Sequence, residues 1–252
     1  MPEDRFPQQR YFLKDLVRHE VDFSHTDQRR GMPSPPLQKF CPPEPPRINL
    51  PDGPAALEKL ARMPVGEAIL QRKSVRSFTP AAITLEELAA LLWATQGVRR
   101  IANEATALRT VPSAGSRHTF ETYLAVSRVE GLKPGLYRFL PFDHQLALLA
   151  ADPRIAARAA TACLNQNFVA QAAVTFFWTT IPARMEWRYE RAAHKVIAID
   201  AGHVCQNLYL TCESLGLGTC AIGAYDQEMC DALLEVDGVD EFTIYIAPVG
   251  KR

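Results

Sequence analysis

The sequence has no net charge and no long uninterrupted apolar run, and these two absences exclude several classes of protein. Its 252 residues include 28 basic and 28 acidic side chains, whereas a nucleic-acid-binding protein usually carries a basic excess. The longest apolar run, near residues 168–181, contains Gln171 and is too short to span a bilayer. The polar, charged residues 1–5 are unlike a secretory signal. We therefore expect a protein that binds neither nucleic acid nor a membrane.

Cysteine pairs and the common catalytic motifs are also missing. The six cysteines form no Cys-x-x-Cys pair and lie mostly among apolar residues, a usage typical of reduced thiols in a cytoplasmic protein. The chain lacks the His-Glu-x-x-His motif, the Gly-x-Ser-x-Gly elbow and a P-loop, so nothing favours a metalloprotease, a serine hydrolase or an NTPase. His194 and His203 are nine residues apart, which puts them on opposite faces of a helix. We interpret both as structural histidines and predict no metal site.

Proline, by contrast, is abundant in one segment near the start of the sequence. Residues 32–36 and 41–46 contain three and four prolines. Such a segment has no packed core of its own and favours extended conformations. The hydrophobic residues around these prolines predict that residues 1–53 form an arm that lies over the body or over a partner subunit. The alternative is a disordered tail. We expect residues 54–252 to form one domain.

The body mixes helices and strands without strict alternation, which predicts an α+β fold. The clearest local signal is a capping box of Thr84 and Glu87 before a helix over 85–96. A helix over 194–215 is apolar around most of its circumference, so we expect a subunit interface to cover one side. Residues 99–111 are expected to be a polar connection. The remaining predicted elements are helices near 152–164 and over 227–234, and strands over 121–129, 135–140, 145–149, 172–181 and 241–248, in a mixed sheet of about five strands.

One stretch, residues 72–78, contains three cations and two serine hydroxyls. Arg72 and Arg76 offer bidentate guanidinium donors, Lys73 offers a point charge, and this set suits a phosphate. Ser74 adds a neutral donor. A solvated, positively charged helix end is the other interpretation, because the stretch follows an apolar helical run. The stretch by itself favours neither.

Two further stretches are rich in small residues, which let a ligand approach the backbone closely. The first is residues 111–116, for which an ordinary turn is the alternative. The second, residues 215–221, matches the dinucleotide fingerprint Gly-x-Gly-x-x-Ala, but that fingerprint must follow a strand and open a helix. This one follows a helix, so we reject a Rossmann site and predict a glycine-lined surface for a flat ligand. Cys220 in this stretch is either a nucleophile or, as its surroundings favour, a packing residue.

An aromatic and basic cluster, residues 187–191, precedes the long helix. One interpretation is the wall of a substrate pocket, with Tyr189 as a proton donor. The alternative is a subunit contact, because Trp, Tyr and Arg are also common at interfaces.

Taken together, several of these stretches resemble the FMN-dependent nitroreductase superfamily. Residues 72–78 resemble its flavin-binding motif R-R-S-x-R-x-F, and Arg109 with residues 112–115 resembles its R-x-x-P-S-x-G segment. Residues 201–219 resemble its long helix and glycine loop, and residues 248–250 also fit. The branch that the chain most resembles is the SagB-type dehydrogenases, which include the thiazoline and oxazoline oxidases of peptide natural products. The proline-rich arm is similar to that of free-standing members.

The resemblance implies a nitroreductase-like fold, with a mainly antiparallel sheet flanked by helices, and a homodimer with two FMN sites at the subunit interface. The FMN phosphate, ribityl chain and pyrimidine edge would contact Arg72, Lys73, Ser74 and Arg76. The isoalloxazine would lie along Pro112, Ser113, Ala114, Gly115 and Ser116. Backbone contacts near the flavin would come from Gly218, Thr219, Cys220, Ile222 and Gly223. The phosphate site would be completed by Lys251 and Arg252.

The resemblance also implies hydride transfer through the flavin. We expect ping-pong, NAD(P)H-driven reduction of a small organic acceptor such as a nitro compound or a quinone. In the azoline oxidases of this branch, a Lys-Tyr pair is associated with proton removal. The nearest match here is Arg188–Tyr189, and an arginine is a poor base because it stays protonated. A tailoring dehydrogenase that oxidises a peptide azoline and a non-catalytic flavin-binding protein are the alternatives.

Overall fold

The computed structural model describes residues 5–252, and over that range the strands are β1 (Arg47–Asn49), β2 (Val98–Asn103), β3 (Thr106–Arg109), β4 (Phe120–Val126), β5 (Gly135–Leu140), β6 (Gln145–Ala151), β7 (Val174–Thr180), β8 (Leu217–Thr219) and β9 (Phe242–Lys251). Seven of them form one sheet in the order β1-β6-β5-β4-β7-β9-β8, and every neighbouring pair is antiparallel. The remaining two, β2 and β3, form a separate hairpin. The predicted α+β fold is confirmed, but the main sheet has seven strands rather than about five.

Helices cover both faces of the sheet. Over the same residues they are α1 (Pro7–Leu13), α2 (Gly53–Leu60), α3 (Val65–Gln71), α4 (Leu85–Gln96), α5 (Ile155–Ala162), α6 (Asn167–Ala170), α7 (Ala183–Tyr189), α8 (Ala193–Ser214) and α9 (Gln227–Leu234). Neighbouring residues of β7 pack against the helices on the two faces of the sheet, because successive strand residues point to opposite faces. Phe176 packs in one apolar cluster with Leu208 of α8, and Phe177 packs in a second cluster with Leu234 of α9.

The start of α4 is fixed by the predicted capping box. Thr84 Oγ1 accepts a hydrogen bond from the Glu87 backbone N–H at 3.0 Å, and the Glu87 carboxylate accepts one from the Thr84 backbone N–H at 2.8 Å. Two donors that the helix itself leaves unpaired are thereby satisfied. This prediction from sequence is confirmed.

The predicted polar connection over residues 99–111 is wrong, because most of it forms the β2–β3 hairpin. Residues 99–103 of the first strand are exposed, whereas Ala107 and Arg109 of the second are buried. A strand with so many exposed residues lacks the alternation of apolar and polar residues that marks a half-buried strand.

The long helix α8 is buried along one side. Ile197 and Val204 are buried, whereas Ile199 is 49% exposed and Gly202 and His203 lie at the surface. The apolar circumference predicted from the sequence thus leaves an exposed stripe of the helix. Its burial by a second subunit stays a prediction.

The proline-rich arm lies along the body over residues 32–40. Arg184 Nε donates a hydrogen bond to Pro36 O at 2.8 Å, and Arg109 donates one to Leu37 O at 3.0 Å. Proline has no N–H, so this segment mainly offers carbonyl oxygens as acceptors. The donors that bind these oxygens come from side chains of the body. The predicted contact between arm and body is therefore present. The predicted boundary between residues 53 and 54 stays a prediction, and β1, which lies in the arm, pairs with β6 of the main sheet.

Candidate active site

The basic stretch 72–78 is an extended segment anchored on the sheet. It follows the end of α3, and the Val75 backbone N–H donates to Thr219 O of β8 at 2.9 Å. Just beyond it, the Thr79 backbone N–H donates to Lys251 O of β9 at 2.9 Å. These bonds bring together three of the four predicted site stretches: the basic stretch, the glycine-rich stretch and residues 251–252.

Two glycines allow this close contact. A Cβ atom added at Gly218 would lie 2.7 Å from Val75 Cγ1, and one added at Gly250 would lie 2.9 Å from Phe78 Cβ. The space beside each glycine, where a Cβ would lie, is filled by a side chain of the basic stretch. These two glycines therefore allow two segments of the protein to pack closely. Gly223 differs, because nothing lies within 4 Å of a Cβ added there.

Tyr209 of α8 links the basic stretch to the glycine-rich stretch. Its hydroxyl accepts a hydrogen bond from the Ala221 backbone N–H at 2.8 Å and lies 3.0 Å from the Ser74 hydroxyl. The Arg72 guanidinium carbon lies 5.3 Å from the Tyr209 ring centroid, which is a cation–π distance. Sequence analysis missed Tyr209 as a site residue, because its place on an apolar helix indicated a core position.

The cations of this site fall into two sets. Lys251 pairs with Glu87, and Arg252 donates two hydrogen bonds to the carboxylate of Glu213, whose side chain is 4% exposed. The three cations of the basic stretch, in contrast, have no carboxylate within ion-pair distance among residues 5–252. Their positive charge is free to attract an anion.

The fourth predicted stretch, residues 112–116, lies against another part of α8. The Ala114 backbone N–H donates to Asp200 Oδ2 at 3.2 Å, and burial raises the pKa of the Asp200 carboxyl despite that hydrogen bond. Asp200 and Tyr209 are nine residues apart, which places them on opposite faces of the helix and about 14 Å apart along its axis. Within one chain, residues 112–116 and the basic stretch therefore meet different sides of α8.

Gly115 brings the candidate proton donor against this fourth stretch. It has a φ of +57°, a left-handed conformation that glycine adopts without strain. A Cβ atom added there would lie 2.8 Å from both Arg188 Cδ and the Tyr189 hydroxyl oxygen. The Tyr189 hydroxyl therefore lies beside residues 112–116, the segment that the resemblance places along the isoalloxazine.

A cluster of buried arginines lies near this region, and the sequence pointed to only one of them, Arg109. Arg184 pairs with Glu121 at 2.6 Å, and both side chains are 2% exposed. Arg109 is also buried and donates to Gln96 Oε1 at 2.7 Å. Burial, with Arg184 nearby, lowers the pKa of Arg109 to about 10. The motif singles out Arg109 but not its burial, and no feature of the sequence distinguishes Arg184 from a surface arginine, because its partner Glu121 is 63 residues away.

Neither a metal centre nor a membrane span emerges from the described part of the chain. Over residues 5–252, no group of three or more His, Cys, Asp and Glu side chains could hold an ion. His194 Nε2 lies 2.8 Å from a Glu186 oxygen, and His203 Nδ1 lies 3.8 Å from an Asp200 oxygen. Over those residues, every helix is too short or too polar to cross a bilayer.

Known proteins resemble this chain over most of its length. Residues 69–251 match the model of the Nitroreductase family. A protein of Methanocaldococcus jannaschii that carries a provisional nitroreductase name is 31% identical over 206 residues, which are 81% of this chain and 96% of that protein. The trifolitoxin-processing protein TfxB of Rhizobium leguminosarum bv. trifolii is 26% identical over 133 residues, which are 51% of this chain and 36% of that protein.

A solved structure has the same fold. The crystal structure of a protein from Anabaena variabilis, also provisionally named a nitroreductase, superposes with a TM-score of 0.68 at 25% identity. The match covers 84% of this chain and 43% of that one, so this chain spans less than half of its length. The family model, by contrast, accounts for well over half of this chain. The chain therefore belongs to the Nitroreductase family of flavin-dependent oxidoreductases.

Proposed function

We propose that the chain is an FMN-dependent enzyme that takes hydride from NAD(P)H and reduces a small organic acceptor, such as a nitro compound or a quinone, in a ping-pong cycle. The observation that carries the proposal is the anchored basic stretch. Arg72, Lys73 and Arg76 lie beside β8 in a segment fixed by backbone hydrogen bonds, with no carboxylate among residues 5–252 to neutralise them. Uncompensated guanidinium and ammonium groups in a fixed segment suit a phosphate monoester.

The residues around this stretch fit FMN by the chemistry of their donors. When bound, FMN supplies the hydride transfer, and the protein supplies placement and electrostatics. The residues proposed to hold it from one chain are Arg72, Lys73, Ser74, Arg76, Gly218, Thr219, Cys220, Ile222, Gly223, Lys251 and Arg252. The last two already have carboxylate partners, so we assign most of the phosphate-binding charge to the basic stretch.

Tyr189 is the proposed proton donor to the reduced acceptor. Its hydroxyl lies against Gly115, in the segment proposed to line the flavin ring. The Arg188 guanidinium carbon lies 5.6 Å from the Tyr189 ring centroid. Because arginine stays protonated, it stabilises the phenolate that remains after the proton has left.

A homodimer is part of the proposal. Residues 112–116 and the basic stretch meet opposite faces of α8 in one chain, so one flavin contacts both only if a partner subunit provides one of them. The exposed stripe of α8 that contains Ile199, Gly202 and His203 is the surface that such a partner covers. A two-fold axis would create two equal sites.

The absorbance spectrum tests the proposal. The purified protein is expected to be yellow, and the flavin released by heat is expected to run as FMN in chromatography. Under anaerobic conditions, NADH or NADPH should bleach the flavin band, and a quinone or nitro compound should restore it. A colourless protein that cannot be loaded with FMN would contradict the proposal.

A tailoring dehydrogenase acting on a peptide azoline is the second candidate. It is favoured by the similarity to TfxB, whose name denotes trifolitoxin processing, and disfavoured by Arg188, which replaces the lysine of the Lys-Tyr pair. If the chain is a tailoring dehydrogenase, NAD(P)H should leave the bound FMN oxidised, whereas an azoline peptide should reduce it. Bound FMN that neither compound reduces would indicate a non-catalytic flavin-binding protein.

A further inference from the structure

The N-terminal arm places a folded turn, residues 26–32, beside α7. Two hydrogen bonds fix the turn to one residue of that helix. The Gln28 backbone N–H donates to Trp187 O at 2.9 Å, and Trp187 Nε1 donates to Met32 O at 2.9 Å. These two bonds hold the backbone of the turn against α7 and place the exposed Arg29 between them in the chain.

Between this turn and α7 lies a cleft of about 430 Å³ lined by Gln28, Arg29 and Arg188. Its lining therefore consists of one amide and two guanidinium groups. Arg188 Cδ also lies 2.8 Å from the position of a Cβ added at Gly115, so the cleft adjoins the segment proposed to line the flavin. Tyr189, the proposed proton donor, is the next residue along the helix.

The positive charge of the cleft is not balanced nearby. Over residues 5–252, neither Arg29 nor Arg188 has a carboxylate within ion-pair distance. Two buried arginines, Arg117 and Arg184, lie close by, and of these Arg184 is paired with Glu121. Burial, together with the charge of Arg188, lowers the pKa of Arg117. The cationic groups of this region therefore repel one another, and an anion would relieve that repulsion.

We propose that the cleft binds an anionic group, a carboxylate or a phosphate, on the reactant that approaches the flavin, and that Arg29 and Arg188 determine this specificity. The inference rests on the proposed function, because it takes residues 112–116 as the flavin-lining segment. A guanidinium fork binds a carboxylate or phosphate through two parallel hydrogen bonds, and the Gln28 amide adds a neutral donor. A neutral reactant of the same shape gains neither contact.

The test compares reactants that differ only in the anionic group. One arm measures kcat/KM for 4-nitrobenzoate and 4-nitrobenzamide, and the other measures it for NADPH and NADH. The wild type should prefer the anionic member of at least one pair. Arg29→Gln and Arg188→Gln should each reduce that preference by about 10-fold or more, since a hydrogen bond to a charged group contributes about 1.5–3 kcal/mol. An effect in the first arm assigns the anion to the acceptor, and one in the second assigns it to the reductant.

Arg30→Gln is the matched control, because Arg30 is exposed in the same turn and does not line the cleft. It should keep the wild-type preference. The proposal is overturned if the wild type has no preference in either arm, if Arg29→Gln retains it, or if Arg30→Gln loses it equally.

A binding measurement separates this inference from the proposed function. Calorimetry with benzoate and benzamide on the purified full chain needs no turnover. If the protein holds no flavin but binds benzoate more tightly than benzamide, and Arg29→Gln abolishes the difference, the proposed function fails while the anion cleft stands. If flavin is present and NAD(P)H bleaches it but the two compounds bind equally in this titration and the kinetic preferences are absent, the cleft proposal alone fails.

Discussion

Arg72 and Arg252 carry the same charge at the candidate site, yet their surroundings give them different roles. Arg252 is tied to the buried carboxylate of Glu213 and to Leu217 O. Its removal would leave a buried charge unpaired, which typically costs about 3–5 kcal/mol of stability. Arg72 lies over the Tyr209 ring and has no carboxylate partner among residues 5–252, so its removal tests binding without leaving a buried charge unpaired.

We expect the double variant Arg72→Ala with Arg76→Ala to bind FMN at least about 100-fold more weakly, since each lost charge-assisted hydrogen bond contributes about 1.5–3 kcal/mol. Quenching of FMN fluorescence during titration of the flavin-free protein measures the change. Arg154→Ala, which removes an exposed arginine at the start of α5, is the control and should bind normally. A double variant that purifies with its full complement of flavin would refute the phosphate site.

We expect Tyr189→Phe to lower kcat with a quinone by about 100-fold, since general acid catalysis typically contributes 10²–10⁴-fold. The variant should keep its flavin, because the ring of Tyr189 is retained. Ferricyanide accepts electrons without protons, so the same variant should reduce it at nearly the wild-type rate. Equal losses with both acceptors would assign Tyr189 a structural role.

The stability of the protein should depend on His118 below neutral pH. Burial, reinforced by Arg109, lowers the pKa of His118 to about 3, whereas the unfolded value is about 6.5. The unfolded chain therefore binds the proton first, and stability is lost as the pH falls from about 6.5 towards 3. At about pH 4.5 this single group costs roughly 2–3 kcal/mol relative to pH 7.

The variant His118→Asn tests this pH dependence, because asparagine tolerates the positive φ of 44° at this position. Urea denaturation at pH 7 and pH 4.5 gives the loss of stability for each protein. The loss should be smaller in the variant by roughly 2 kcal/mol. Equal losses would mean that His118 is protonated in the folded protein.

At the scale of elements, the site depends on how closely the basic stretch packs on β8. Gly218→Ala would place a Cβ 2.7 Å from Val75, and an overpacked position typically costs about 1–3 kcal/mol. We expect lower thermal stability and weaker FMN binding together, because the displaced segment carries the phosphate-binding cations. Gly66→Ala is the control: its Cβ meets nothing within 4 Å, and in α3 it should stabilise by about 0.5–1 kcal/mol. Unchanged FMN binding in Gly218→Ala would contradict the proposed role of this packing.

Elements with local signals could be predicted from the sequence, and those without could not. Thr84 and Glu87 lie three residues apart and form the capping box that they indicate. The helix α9, predicted over 227–234, has the predicted ends. In contrast, β1 and β8 have three residues each, too few to display a period, and their strand character comes from pairing with β6 and β9.

At the scale of the whole molecule, the sequence predicts which stretches carry the site but not how they are arranged. The basic stretch and Lys251 are far apart in sequence, and their proximity becomes visible in the backbone bond from Thr79 to Lys251 and in the packing of Phe78 against Gly250. Gly218 and Val75 are also far apart in sequence, so the close packing between them could not be predicted from either stretch alone. The buried arginine cluster depends on partners far along the chain, which no local pattern specifies.

We expect the protein in solution to be a dimer of two 28.1 kDa chains. Ile199→Glu should shift it towards the monomer, because a charge in the centre of the exposed α8 stripe would be costly to bury. The same variant should lose flavin, since each proposed site needs both subunits. Analytical ultracentrifugation with absorbance detection measures both properties, and Met229→Glu, on exposed Met229 of α9, is the control. A wild-type monomer that retains FMN would rule out the shared site.

The arm also imposes an order on folding during synthesis. Lys39 binds Glu241, which lies 202 residues further along the chain, and Pro36 accepts its bond from Arg184, 148 residues further along. The ribosome therefore releases the arm long before its partners exist. The extended, proline-rich residues of the arm form few hydrogen bonds of their own, so they adopt little structure before the body has been made. The arm is thus translated before the residues it binds, and it attains its final contacts only after those residues have been made.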